Sequence, residues 1–158
     1  GGLRLPLVYN CGGYESLEAL RLLDGLVDIY MPDFKFWDPA VAERLCQAPD
    51  YPERAREALR EMHRQQGDLV LDPQGLATAG LLVRHLVMPH GLAGSREIFS
   101  FIAERISPHT YVNVMGQYRP CWDAWSRPDL GRRVTAREHR EALALARAAG
   151  LRRLDGDA

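Results

Sequence analysis

The chain has almost no lysine: Lys35 stands alone, and every other one of the 20 basic residues is arginine. A coding bias toward arginine accounts for the exchange in general. It also marks the survivor as a candidate for a role that needs a compact ammonium. Cysteine is scarce too. Cys11, Cys46 and Cys121 are odd in number and far apart, which excludes a disulfide framework and a compact metal-ligand set and points to a reduced, cytoplasmic setting. Neither sign of charge prevails: 20 basic residues face 21 acidic ones, for a formal net charge of −1. Such a balance gives no field to hold a polyanion, so no nucleic-acid partner is expected. No apolar run nears the roughly 20 residues that a bilayer span needs, and no membrane association is expected. The glycine patterns of nucleotide-binding loops are missing, as are internal repeats.

What is present reads as one globular domain of 158 residues, 46% hydrophobic and 26% charged. The chain opens on Gly-Gly-Leu without an initiator Met, which suggests a piece of a longer protein. Four short apolar runs, at 5–10, 27–32, 81–89 and 111–115, are nearly continuous, as expected for strands buried on both faces of a parallel sheet. Helical spacing lies between them. Leu17, Leu20 and Leu23 mark the first helix. Ala55, Ala58, Leu59 and Met62 mark the second, with Asp50 and Glu53 as its capping box and Gly67 as its end. Ser95 is positioned to cap a third carrying Ile98, Phe99 and Ile102, and Thr135 with Glu138 caps a fourth over 136–149. The turn Asp72-Pro73-Gln74-Gly75 closes a small hairpin.

Alternating strands and helices predict an α/β fold with parallel strands. The polar residues Asn10, Asp33, Lys35, His90, Gln117 and Tyr118 fall at the C-terminal ends of the strands, where (β/α) barrels keep their active sites. Four strands cannot close a barrel, so a partial one is expected.

Period-2 alternation through Pro32 places Met31, Asp33 and Lys35 on one face. A carboxylate and an ammonium there suit a zwitterion such as an amino-acid moiety, or form a salt-bridged strand end without a ligand. Arg84 interrupts an apolar strand, which is costly unless it is paired, so it is expected to meet Asp33 or an anion. His85 faces the other way and reads as a satisfied core histidine. Gly12 and Gly13 make a close-approach loop or a plain turn, and Cys11 a reactive thiol or a small buried hydrophobe. Asn113, Met115 and Gln117 share a face that suits a small polar or adenine-like ligand, on which Tyr118 could stack. Trp122 and Trp125 are expected to form a hydrophobic plug.

Four stretches, LPLVYNCGGYE, VDIYMPDFK, LLVRHLVMP and YVNVMGQYRP, together resemble the radical S-adenosylmethionine proteins related to pyruvate formate-lyase activating enzyme. The likeness runs in order over almost the whole chain. It implies the last four βα units of a (β/α)6 partial barrel over residues 1–158. It also implies S-adenosylmethionine and a 4Fe–4S cluster as cofactors, and a glycyl-radical protein as partner. In such a protein the cluster reduces S-adenosylmethionine, and the resulting 5′-deoxyadenosyl radical abstracts a hydrogen from the substrate.

Carried over by position, Asp33 and Lys35 match the Asp-x-Lys motif at the amino-acid part of the cofactor, and Arg84 the family's inward strand arginine. Gln117 and Tyr118 fall near the adenine. Asn10, Cys11, Met31 and Asp33 fall where the activase holds a monovalent cation, with Asn10 replacing the family's Asp. The cluster's C-x3-C-x2-C loop would lie upstream of Gly1, so the chain alone is expected to be inactive. Two rivals stand beside this reading: a barrel lyase with Lys35 as Schiff-base nucleophile, and a non-catalytic βα remnant that binds a partner through its open sheet edge.

Overall fold

A computed structural model describes residues 5–155. Strands β1 (Val8–Cys11), β2 (Ile29–Pro32), β4 (Ala77–Leu86), β5 (Tyr111–Met115) and β6 (Arg153–Leu154) lie in that spatial order, and every neighbouring pair is parallel. Strand β3 (Val70–Leu71) pairs antiparallel with β4. Helices α1 (Leu17–Leu22), α3 (Tyr51–Gln66), α4 (Ser95–Arg105) and α5 (Ala136–Ala148) occupy the crossovers as the spacing predicts. The hairpin forms through Asp72, whose amide donates to the Leu76 carbonyl at 2.8 Å and whose carbonyl receives the Gly75 amide at 2.9 Å.

Local chemistry sets the helix ends. The Ser16 hydroxyl accepts the Ala19 amide at 3.1 Å, and Thr135 and Glu138 complete a reciprocal capping box. Two of the expected caps do not form. Asp50 makes no side-chain cap bond; its carboxylate instead receives the Tyr14 hydroxyl and, at 3.3 Å, Arg54. Ser95 lies one position inside α4, after the left-handed Gly94, and turns its hydroxyl toward His85. A further helix, α2 (Pro39–Cys46), is capped by Asp38, which accepts the Ala40 and Val41 amides at 2.7 and 3.1 Å.

The strands are not buried equally on their two faces. Toward the helices, Tyr30, Leu81, Val83, His85 and Val112 are wholly buried, together with Ala55, Ala58, Leu59 and Met62 of α3. Each large apolar side chain so placed contributes about 1.5–3 kcal/mol. On the opposite face Met31, Leu82, Arg84, Leu86, Tyr111, Asn113 and Met115 remain partly exposed. The continuous apolar strands therefore line a sheet with one covered and one partly open face. The indoles also differ from expectation. They plug nothing: Trp122 and Trp125 are 92% and 65% exposed on a short 3-10 turn, Trp122–Ser126.

Strand β1 is an edge of the sheet, and Leu5, Leu7 and Val8 beside it are exposed at 74%, 46% and 47%. An apolar edge with unpaired backbone groups templates association. Sedimentation velocity is expected to show concentration-dependent self-association of this chain. Val8→Lys should shift the population toward monomer; a wild-type chain that stays monomeric would remove the basis for this expectation.

Candidate functional site

The strand geometry of β2 continues past Pro32. The Asp33 amide donates to the Cys11 carbonyl at 3.0 Å and the Phe34 amide to the Arg84 carbonyl at 2.9 Å. Asp33 and Arg84 thus sit side by side, as an isolated parallel bridge. Their side chains meet as the sequence predicts. The Arg84 Nε lies 2.8 Å and its Nη2 2.7 Å from Asp33 Oδ1. The other oxygen, Oδ2, lies 3.1 Å from the Lys35 ammonium. Asp33 is thereby shared between the two cations, one carboxylate oxygen for each.

Arg84 also reaches across β2 to β1, where Nη2 donates to Asn10 Oδ1 at 2.8 Å. Because a guanidinium only donates, this contact fixes the oxygen of the Asn10 amide toward Arg84. Of the four residues matched to a cation site, Asn10 and Asp33 come together, yet both oxygens nearest each other are taken by the guanidinium. Met31 pairs in register with Asn10 and is partly exposed. Cys11 alternates to the helix-facing side. Burial, with Glu15 nearby, pushes its thiol up to about 12, which disfavours the nucleophilic thiolate at neutral pH. Among the described residues no group of three or more His, Cys, Asp or Glu is placed to hold a metal ion.

Tyr51 went unnoticed in the sequence. Its hydroxyl receives the Lys35 amide at 2.9 Å and lies 3.0 and 3.1 Å from the carbonyls of Gly12 and Asp33. With a single proton, it donates to one carbonyl at a time. This contact ties the turn after β1 to the segment carrying Asp33 and Lys35. Burial raises the Tyr51 pKa well above its ordinary value, so the donor persists in alkaline solution. Gly12 and Gly13 let that turn pass close to the Asp33–Lys35 segment. A Cβ on Gly12 would sit 3.4 Å from Lys35 Nζ, and one on Gly13 would strike the Asp33 carbonyl oxygen at 2.1 Å.

The fourth strand end is looser. Asn113 lies in register with Arg84 on the partly open face. Gln117 is exposed on the rim, and the Tyr118 hydroxyl donates to the Leu130 carbonyl at 3.0 Å, holding the long segment after β5. The residues brought into one cluster are therefore Asn10, Asp33, Lys35 and Arg84, with Gly12 and Tyr51 behind them. Gln117 points to solvent and Tyr118 is engaged by Leu130 rather than by that cluster. The helix-facing His85 is fully buried and bonded at both ring nitrogens, as a core histidine should be.

No protein-family model matches the chain, and no solved structure matches it significantly. It is 36% identical over 143 residues to an uncharacterized protein of Methanocaldococcus jannaschii, in an alignment covering 90% of this chain and 38% of that protein. The chain thus spans well under half the length of that relative. Among the described residues, no helix is long and apolar enough to cross a membrane.

Proposed function

We propose that this chain forms part of a radical S-adenosylmethionine protein resembling the activases of glycyl-radical enzymes. In this reading the partly open sheet face is the inner wall of a partial (β/α) barrel. One observation carries it: Asp33 is shared by Lys35 and Arg84 at the C-terminal ends of the parallel strands. A salt-bridged strand end would need only one cation. Here the second cation is the chain's single lysine, 41% exposed. It has three ammonium donors, of which Asp33 occupies one. The remaining donors suit a carboxylate, and Gly12 leaves the approach to Nζ unobstructed. The residues therefore fit the amino-acid end of S-adenosylmethionine. Lys35 binds its carboxylate, Asp33 orients Lys35, and Arg84 holds Asp33 in place with Asn10 as its second acceptor.

Bound there, S-adenosylmethionine supplies the adenosyl group that the family uses for hydrogen abstraction. The family's cluster does not fit these residues. Cys11, Cys46 and Cys121 lie on β1, on α2 and before the Trp122 turn, and the Cys11 thiol is held in its protonated form. A glycyl-radical protein as hydrogen donor and a cytoplasmic location belong to the same proposal.

The test is equilibrium binding of S-adenosylmethionine, by calorimetry, to the protein carrying this stretch. Lys35→Ala should weaken binding by about 10-fold or more, the loss of one charge-assisted contact, and Arg84→Leu should weaken it as well, by releasing Asp33. Unchanged affinity in both variants would overturn the reading. The Schiff-base alternative is less favoured, because the Lys35 ammonium is engaged by Asp33 rather than desolvated as a free amine. Borohydride trapping of a carbonyl compound on Lys35 would reinstate it.

A further inference from the structure

Consecutive residues of β4 act on Asp33 and Lys35 from opposite faces of the sheet. On the partly open face, Arg84 grips the Asp33 carboxylate. On the buried face, the imidazole of His85 meets the backbone between Asp33 and Lys35: Nδ1 lies 2.8 Å from the Phe34 carbonyl oxygen. The other ring nitrogen, Nε2, lies 2.8 Å from Ser95 Oγ, at the first position of α4. A carbonyl only accepts, so Nδ1 carries the proton. Nε2 is then the acceptor, and the Ser95 hydroxyl donates to it. The chain of bonds has one direction, Ser95 to His85 to Phe34, and every buried polar atom in it is satisfied.

Both polar groups of Phe34 are thereby held by β4. Its amide donates to the Arg84 carbonyl at 2.9 Å, and its carbonyl accepts from His85. The ring of Phe34 is wholly buried, and the His85 ring packs edge-on against Phe99 with centroids 5.0 Å apart. A second tether joins the same two segments, where the Trp37 amide donates to the Ala93 carbonyl at 3.0 Å. Neither peptide flanking Phe34 can rotate without breaking its bond to β4, and the second is held from α3 as well, where the Lys35 amide donates to Tyr51. Asp33 and Lys35 leave the chain on either side of Phe34.

We propose that His85 and Ser95 are positioning residues that lock the Phe34 peptide and so set the placement of Asp33 and Lys35 against Arg84. The assignment rests on the proposed site, but its geometry does not require any ligand. Burial holds the His85 pKa down to about 4, so the ring stays neutral and keeps this tautomer through the physiological range.

The experiment is proton exchange by NMR on the chain itself, following Arg84 Nε–H and the Phe34 amide against the amides of β5 as an internal control. In Ser95→Ala, exchange at Arg84 Nε–H and Phe34 is expected to rise about 10-fold relative to the control amides. His85→Gln offers an amide that can both donate and accept, so it should restore part of the protection that His85→Leu removes. If His85→Leu does not fold, Ser95→Ala carries the test, since it deletes a single oxygen. Unchanged protection at the two reporters, or an equal rise at every amide, would overturn the proposal. Calorimetry with S-adenosylmethionine on the same variants separates the two claims. Altered exchange without any cofactor binding by the wild type keeps the relay and discards the cofactor reading.

Discussion

Gly13→Ala is expected to destabilise the chain by about 4 kcal/mol or more, at the severe end for a single substitution. Two effects add. The backbone at Gly13 has φ +78°, a region that costs an L-residue about 1–2 kcal/mol. The new Cβ would also sit 2.1 Å from the Asp33 carbonyl oxygen, and backbone rather than a flexible side-chain tip has to yield. Moving that carbonyl breaks the Tyr51 contact at 3.1 Å and the register that brings Asp33 to Arg84. Gly12→Ala is the control. Its Cβ would rest 3.4 Å from the mobile end of Lys35, so the chain should fold normally. Urea denaturation measures both. A Gly13→Ala chain within about 1 kcal/mol of wild type would mean that the turn relaxes freely and does not constrain Asp33.

The contact at the centre of the site was legible because it follows from cost and alternation. An arginine inside an apolar strand has to be paired, and the period of β2 offered Asp33 on the matching face. His85, one residue on, had to face the helices, where it is found. The partners of these groups were not legible. Tyr51 lies 39 residues from Gly12 and 16 from Lys35, and only the packing of α3 against β2 brings its hydroxyl there. Ser95 looked like a cap, because serine before an apolar stripe normally is one. The chain caps α4 with a glycine instead and spends the hydroxyl on a buried ring.

Other misreadings have local causes. Helix α2 is eight residues long, too short for an apolar stripe to repeat, and ends on Gln47 in the left-handed conformation, φ 56°, where a glycine would have signalled the stop. Strand β6 is two residues long and exists through its pairing with β5 rather than its composition. Unbroken apolar strands suggested two covered faces. A run of Leu, Val and Met reads the same whether the second face meets helices or the wall of an incompletely filled barrel. Exposure of Met31, Leu82 and Met115 depends on what lies opposite, and strand periodicity carries no record of that.

The buried imidazole gives the chain an acid-sensitive stability. In the unfolded state His85 takes up a proton near the ordinary value of about 6.5; in the folded state burial delays this to about 4. The folded form therefore binds fewer protons between those values, and stability falls as pH falls through that window. At about 1.4 kcal/mol per pKa unit, the His85 contribution is about 3 kcal/mol, fully present above 6.5 and exhausted near 4. The carboxylates with lowered pKa, Glu61 and Asp129 among them, act further down, as pH falls below the ordinary carboxylate range. At the alkaline end the sign reverses. The Cys11 thiol, raised from 9.0 to about 12, and the Tyr30 phenol, raised from 10.0 to about 12, favour folding while neutral. Their contributions are lost as pH rises above those ordinary values. Urea midpoints measured across pH should form a plateau between about 6.5 and 9, with a slope on its acid side. His85→Gln cannot titrate, so that slope should flatten between pH 6.5 and 4 even if the variant's plateau is lower. Parallel curves for wild type and variant over that window would mean that His85 is protonated in the folded chain, and its bond to Ser95 would then have to be redrawn.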